Sequence, residues 1–103
     1  MLNKILQPSD PMTLENFLGM YDIKSFYVRS IEPHIWTEKE VNEFGEVEII
    51  SHEIGTIIYL TTDGNLGNSI TNQLNPYFDK TIRNLTYFES DEGVKTVHIW
   101  VRK

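Results

Sequence analysis

Carboxylate side chains are concentrated in one stretch of this 103-residue chain, between residues 38 and 53. Lys39 is the only lysine or arginine there, and the glutamates are Glu38, Glu40, Glu43, Glu46, Glu48 and Glu53. A surface row of like charges attracts and orients a positively charged partner, and it can imitate the phosphates of a nucleic acid. Solvated charges that keep a strand edge from aggregating give the same pattern. We interpret the glutamates from Glu38 to Glu48 as a partner-binding surface.

A tripeptide occurs twice in the chain, as His34-Ile35-Trp36 and as His98-Ile99-Trp100. On a β-strand each copy places its histidine and tryptophan on one face and its isoleucine on the other. If the two strands lie near each other, four aromatic rings share one surface. Exposed tryptophans are favoured anchors at protein interfaces. We therefore predict that Trp36 and Trp100 contact a partner, unless a helix covers this face or the match is a coincidence.

A glycine-rich turn, Asp63-Gly64-Asn65-Leu66-Gly67-Asn68-Ser69, lies between a predicted strand and a predicted helix. Glycines let backbone N–H groups approach a phosphate, and a helix N-terminus favours an anion. Gly64, Gly67, Asn68 and Ser69 are thus an alternative anion-binding or small-ligand site. The spacing matches neither the P-loop nor the dinucleotide-binding motif, and a plain turn with a helix cap explains the same residues.

Metal binding and catalysis receive little support from the sequence. The histidines His34, His52 and His98 lack the i, i+3 or i, i+4 spacing of a helical metal site, and Glu53 next to His52 points to the opposite strand face. There is no cysteine, and no serine stands in a Gly-x-Ser-x-Gly elbow. We predict no metal, no cofactor and no catalytic residue, so that the protein is not an enzyme.

Length and composition indicate one globular domain spanning residues 1–103. Hydrophobic residues make up 40% of the chain and charged residues 23%, which suits a packed core. The formal net charge of −6 argues against direct nucleic-acid binding, which needs lysines and arginines along the phosphates. No apolar run is long enough for a membrane span, and the first residues do not resemble a signal peptide. We expect a cytoplasmic protein.

The spacing of apolar residues predicts a first helix that starts near Asp10-Pro11. Asp10 can cap free N–H groups, and Pro11 suits the first helical position. The apolar stripe along this helix is Leu14, Phe17, Leu18 and Tyr21. Residues 1–9 are interpreted as a lead-in, of which Leu2, Ile5 and Leu6 can still pack on the domain.

The middle of the chain has the two-residue period of strands. A first strand is predicted from about residue 26 to Ile31. Pro33 interrupts it, because proline cannot donate to a strand ladder, and His34 to Trp36 are predicted to continue the strand after a bulge. Residues 38–46 are predicted to be a loop or hairpin tip. Val47 and Ile49 belong to a second strand, and residues 54–61 to a third at the centre of the sheet.

A second helix is predicted from the helical spacing of its apolar residues, Ile70, Leu74, Tyr77, Phe78 and Ile82. Pro76 requires either a kink or a fresh start with Asn75 as the cap. Two final strands, 85–89 and 94–101, are joined by a short turn at residues 90–93. The predicted fold is α+β, with a mostly antiparallel five-stranded sheet, two helices and the order α-β-β-β-α-β-β.

These patterns favour a non-catalytic acidic module that binds a protein with a basic surface. Its sharpest form is a phage or mobile-element inhibitor, similar in kind to anti-CRISPR proteins, that occludes a nucleic-acid-binding surface of a host protein. Two alternatives stay open at this point. One is the small-ligand or anion-binding domain described above, and the other is a structural subunit that self-assembles through unpaired strand edges.

Overall fold

The computed structural model describes the backbone of residues 2–6, 12–20, 23, 25–70 and 72–103, and the side chains of all of these except 2–6. In chain order the elements are β1 (Leu2–Leu6), α1 (Leu14–Met20), β2 (Tyr27–Val41), β3 (Val47–Thr61), β4 (Asn68–Ser69), a 3-10 turn (Asn75–Tyr77), β5 (Ile82–Glu89) and β6 (Lys95–Arg102). Within this part of the chain one antiparallel sheet has the strand order β1-β5-β6-β3-β2-β4. The α+β class is confirmed. Five strands have five residues or more, the predicted number, and β4 adds a two-residue pairing.

Helix α1 begins at Leu14 and not near Asp10. Thr13 caps it, because its Oγ1 accepts a hydrogen bond from the Asn16 N–H at 3.2 Å. Leu14 and Phe17 are buried, as the predicted stripe requires. The other predicted features of this helix, Asp10, Pro11 and Tyr21, lie outside the described residues.

The second and third predicted strands are one strand, β3, which pairs with β2 over almost its whole length. Residues 38–41, predicted as loop, belong to β2, and the turn occupies only residues 42–46. Pro33 does not end β2. In the described residues β4 pairs only with Tyr27 and Val28, so Pro33 lies on an edge strand, where its missing N–H is tolerated. The predicted bulge near His34 is present, and its extra residue is Ile54 on β3.

The second predicted helix is a 3-10 turn at Asn75–Tyr77. Pro76 lies at the start of this turn, but the cap is Leu74, which makes no side-chain hydrogen bond there. Ile82 belongs to β5 instead. The helical spacing was misleading because Leu74 and Ile82 enter the same core from a turn and from a strand.

The lead-in predicted for residues 1–9 contains strand β1, which pairs antiparallel with β5. The last hairpin matches its prediction more closely, although β5 starts earlier, at Ile82. Its turn is closed by the Ser90 N–H, which donates to the Val94 carbonyl at 2.9 Å, and Gly93 supplies a positive φ of 83°. Residues 55–61 of β3 lie between β2 and β6, at the centre of the sheet as predicted.

The hydrophobic core lies on one face of the sheet, beneath α1 and the 3-10 turn. Its buried residues are Leu14, Phe17, Ile23, Phe26, Val28, Ile58, Leu60, Leu74, Ile82, Leu85, Val97, Ile99 and Val101. The opposite face carries half-buried and exposed side chains over most of its area, and we call it the open face. Its residues are Ser30, Glu32, His34, Ile57, Tyr59, Asn84, Thr86, His98 and Trp100.

Candidate interaction surface

The β2–β3 hairpin projects beyond the rest of the sheet. β3 pairs with β6 only from Gly55 to Thr61, whereas β2 and β3 stay paired up to Val41 and Val47. We call residues 35–53 the arm. Seven paired rows at about 3.4 Å per residue make it about 24 Å long, which accounts for much of the 55 Å extent of the molecule. It is a two-stranded ribbon held only at its base.

The tip of the arm is organised by Asn42. Its Oδ1 accepts hydrogen bonds from the N–H groups of Phe44 and Glu46, each at 2.9 Å. Gly45 has a φ of 78°, a conformation that glycine adopts without strain. These contacts fix a five-residue turn, so the register of the two strands is set at the tip as well as at the base.

Strand alternation separates the side chains of the arm into two faces. One face continues the open face of the sheet and contains Trp36, Glu38, Glu40, Glu48, Ile50 and His52, and we call it the acidic face. The other continues the side that carries the core and contains Ile35, Thr37, Lys39, Val41, Val47, Ile49, Ser51 and Glu53, and we call it the core-side face. The predicted glutamates are thus sorted: Glu43 and Glu46 lie in the tip turn, and Glu53 is on the core-side face.

Trp36 is the exposed aromatic residue of the acidic face, with 53% of its surface accessible. Its ring stacks on His52, with centroids 5.9 Å apart and an interplanar angle of 28°. His52 Nε2 in turn lies 3.1 Å from Glu38 Oε1. This series of contacts orients the indole beside the carboxylates, so that an apolar anchor and negative charges share one surface.

Trp100 occupies a different position, in the open face at the base of the arm. It meets His34 edge to face, with ring centroids 4.9 Å apart, and Arg83 lies 5.5 Å from its ring centroid. Gly55 makes this possible, because a Cβ at that position would lie 2.6 Å from Trp100 Nε1. Among the described residues, neither of the two buried atoms Trp100 Nε1 and His34 Nδ1 has a hydrogen-bond partner. Trp100 is half-buried and Trp36 is exposed, so Trp36 is the more accessible of the two predicted anchors.

A shallow pocket of about 260 Å³ lies on the open face beside Trp100. Its far side is formed by Tyr59 and His98, whose ring centroids are 4.6 Å apart. Burial raises the pKa of Tyr59 above its ordinary value of 10.0, and Glu32, which accepts a hydrogen bond from the Tyr59 hydroxyl, raises it further. Burial lowers the pKa of His98 below 6.5, and the charge of Arg29 acts in the same direction. Both pKa shifts favour the uncharged form of the ring.

The repeated tripeptide does place aromatic rings on one face, though not as a single group of four. His34 contacts Trp100, whereas Trp36 stacks on His52 and His98 meets Tyr59 edge to face. The intervening strand β3 separates β2 from β6, so direct contact between the two tripeptides occurs only over Gly55.

The glycine-rich turn lies against the start of β2. A Cβ on Gly67 would meet the Tyr27 Cβ at 2.7 Å, and one on Gly64 would meet the Tyr27 ring at 3.1 Å. Asn68 and Ser69 form β4 and pair with Val28 and Tyr27. The close approach of this turn to β2 explains why glycine is needed at positions 64 and 67. The turn is followed by strand β4, where the sequence predicted the N-terminus of a helix. The anion-binding prediction has not been tested.

The described residues hold neither a cluster of metal-binding side chains nor a helix that could span a membrane. They contain no group of three or more histidine, aspartate or glutamate side chains arranged to hold a metal ion. No helix in the same part of the chain has the length and apolarity to cross a membrane.

Several residues of this surface were missed in the sequence analysis. Tyr59 and Asn84 join the open face only through strand pairing. Arg83 and His52 become relevant only through their contacts with the rings of Trp100 and Trp36. The apolar residues of the core-side face could have been found, because Val41, Val47 and Ile49 alternate with polar residues. That alternation was hidden by assigning residues 38–46 to a loop.

Comparisons with known proteins give the chain no relative. No family model, no curated protein and no solved structure matches it.

Proposed function

We propose that this chain is a non-catalytic protein-binding module that uses the acidic face of the arm to contact a basic surface on a partner protein. The observation that carries the proposal is that the acidic face lies on an arm that projects beyond the rest of the sheet. Six glutamates and one lysine lie in residues 35–53, so the arm holds five of the six net negative charges of the chain.

Charge and shape support this proposal together. A projecting rod with carboxylates on one face can enter a groove that a compact surface cannot reach. Glu38 and Glu40 lie on β2 with a spacing of about 6.8 Å, and Glu48 is opposite Glu40 on β3. Such a repeating row gives long-range attraction to lysines and arginines and raises the association rate.

Charge alone does not give a stable complex. Trp36 adds an apolar surface whose removal from water on binding stabilises the complex. Hot spots of protein interfaces are enriched in tryptophan, and truncation of one costs about 2 kcal/mol or more. Trp36 is exposed and already oriented by His52, so little side-chain entropy is lost on binding. Where the basic surface of the partner is a groove that binds nucleic acid, the arm would occlude that groove and inhibit nucleic-acid binding. This is the inhibitory form of the proposal.

The experiment begins with capture of partners on the immobilised chain from an extract of its native host. The captured protein is then purified and its affinity measured. We expect Trp36→Ala to raise the dissociation constant by about 30-fold or more, and Phe44→Ala, which truncates an exposed aromatic residue in the tip, to change it by less than about threefold. Equal effects of the two variants would contradict the proposal, as would a partner whose contact surface is acidic.

A further inference from the structure

The core-side face of the arm is an apolar surface that no described element covers. Val41, Val47 and Ile49 are 70%, 64% and 69% exposed, and Ile35 is 45% exposed. They lie in line with the core of the sheet, but α1 and the 3-10 turn pack on core residues that lie outside residues 35–53. An exposed aliphatic face on a projecting ribbon is typical of a contact surface.

We propose that the core-side faces of two copies of this chain pack against each other with their arms antiparallel, forming a weak symmetric dimer. The first argument is the charge of the face itself. Its two charged residues are Lys39 and Glu53, which are opposite in sign and lie toward opposite ends of the arm. A face of this kind is complementary to an antiparallel copy of itself, as a two-fold interface requires.

The second argument is the charge of the arm tip. Glu43 and Glu46 lie in the tip turn. A parallel dimer would bring these four carboxylates of the two copies together, whereas an antiparallel dimer holds the two acidic tips at opposite ends.

The acidic faces do not oppose this arrangement. When the core-side faces pack, the acidic faces point outward on the two sides of the dimer, separated by two ribbons. The two arms then remain available for the proposed partner, and salt weakens their residual repulsion. A membrane is a poorer occupant of the core-side face, because the anionic lipid surface repels an arm with a net charge of −5.

The size of the face sets the expected strength. A ribbon of about 24 Å by 10 Å contributes a few hundred Å² from each copy, less than the roughly 800 Å² per partner of a standard interface. We therefore expect dimer formation to depend on concentration, with a dissociation constant of about 10⁻⁴ M.

The test is sedimentation equilibrium of the full chain at concentrations up to about 1 mM. Ile49 and Ile50 are adjacent isoleucines on opposite faces of the arm, and they provide a matched pair of variants. We expect Ile49→Thr to raise the dissociation constant by about tenfold or more, and Ile50→Thr to leave it within about threefold of the wild-type value. A monomer at the highest concentration overturns the proposal, as does an oligomer that Ile49→Thr leaves intact, which would indicate pairing of strand edges.

A charge exchange tests the antiparallel arrangement. Lys39→Glu should weaken the dimer, and so should Glu53→Lys. Both substitutions in one chain should restore it to within about threefold of wild type. Failure of the double variant to dimerise overturns the arrangement. Ile49→Thr should weaken the dimer but leave the affinity for the partner within about threefold of wild type, because Ile49 is not on the acidic face, so the two proposals can fail separately.

Discussion

His34 and Trp100 meet edge to face above Gly55, with ring centroids 4.9 Å apart, although strand β3 separates the two strands that carry them. The contact is possible because residue 55 has no side chain. It connects the base of the arm to β6, so it stabilises the point from which the arm projects. The surface proposed to bind a partner therefore depends on a glycine that has no place in that surface.

Gly55→Ala is expected to destabilise the fold. The added Cβ would collide with the Val101 carbonyl oxygen and would lie 2.6 Å from Trp100 Nε1. A backbone oxygen inside a paired strand cannot move away easily, and overpacking of this kind typically costs about 1–3 kcal/mol. Urea denaturation followed by tryptophan fluorescence measures the loss.

The matched control is Gly19→Ala in helix α1. Nothing lies within 4 Å of a Cβ at that position. Because alanine is the better helix former, this variant should be as stable as the wild type or more stable, by up to about 1 kcal/mol. If Gly55→Ala were equally harmless, the packing of Trp100 over Gly55 would be wrong.

The stability of the fold should fall as the solution becomes more acidic than the ordinary histidine pKa of 6.5. The pKa of His98 is lowered in the folded chain by burial first and by Arg29 second, so the unfolded chain binds more protons at His98 below pH 6.5. Stability therefore decreases as pH falls from 6.5 to the lowered pKa and no longer changes through His98 below it.

The free energy of unfolding measured between pH 7.5 and pH 4.5 checks this statement through differences between variants. His98→Gln should lose less stability on acidification than the wild type does. Arg29→Gln should show an intermediate loss, because only the smaller of the two causes is removed. Identical pH profiles of wild type and His98→Gln would contradict the proposed environment of His98.

The fold could be predicted from the sequence where a pattern was purely local. The last hairpin was found because residues 90–93 give a turn with Gly93, and the buried stripe of α1 was found from the spacing of Leu14 and Phe17. The continuity of β2 through Pro33 depends on its lying at the edge of the sheet, a tertiary fact that single-residue rules do not include. The prediction of a second helix was wrong because the apolar residues of a 3-10 turn and of the start of β5 have helical spacing over residues 74–82.

The candidate surface was only partly predictable. The crowding of glutamates between residues 38 and 53 is visible in the sequence, but their distribution over two faces and a tip depends on the register set by Asn42 and Gly45. Predicting the contact of His34 with Trp100 would have required knowing that Gly55 of β3 lies between them. The residue types of the surface could be predicted from the sequence, whereas their arrangement depends on the pairing of the strands.

The arm should be dispensable for folding. All the buried core residues of the described chain lie outside residues 35–53. Replacing residues 38–50 by Asn-Gly keeps the pair Thr37–Ser51 and closes it with a favoured two-residue hairpin turn. We expect the midpoint of thermal unfolding to shift by less than about 4 °C, which corresponds to about 1 kcal/mol, because little apolar burial is lost.

This shortened chain should lose both partner binding and self-association. Circular dichroism and sedimentation equilibrium on the same sample distinguish loss of function from loss of fold. An unfolded product would show that the arm stabilises the sheet, and partner binding at the wild-type affinity would show that the carboxylates of residues 38–48 are not needed for it.

The central claim is tested most directly by the association rate with the captured partner, measured by stopped-flow mixing at two salt concentrations. Glu38→Gln, Glu40→Gln and Glu48→Gln together neutralise the acidic face, and this is the first triple variant. The second has the same net charge and neutralises exposed residues elsewhere, through Glu15→Gln, Glu53→Gln and Glu92→Gln.

We expect the first triple variant to associate about tenfold or more slowly at low salt and to lose most of the salt dependence, while the second stays within about threefold of wild type. Equal rates for the two variants would show that only net charge matters, and would contradict the role assigned to the acidic face.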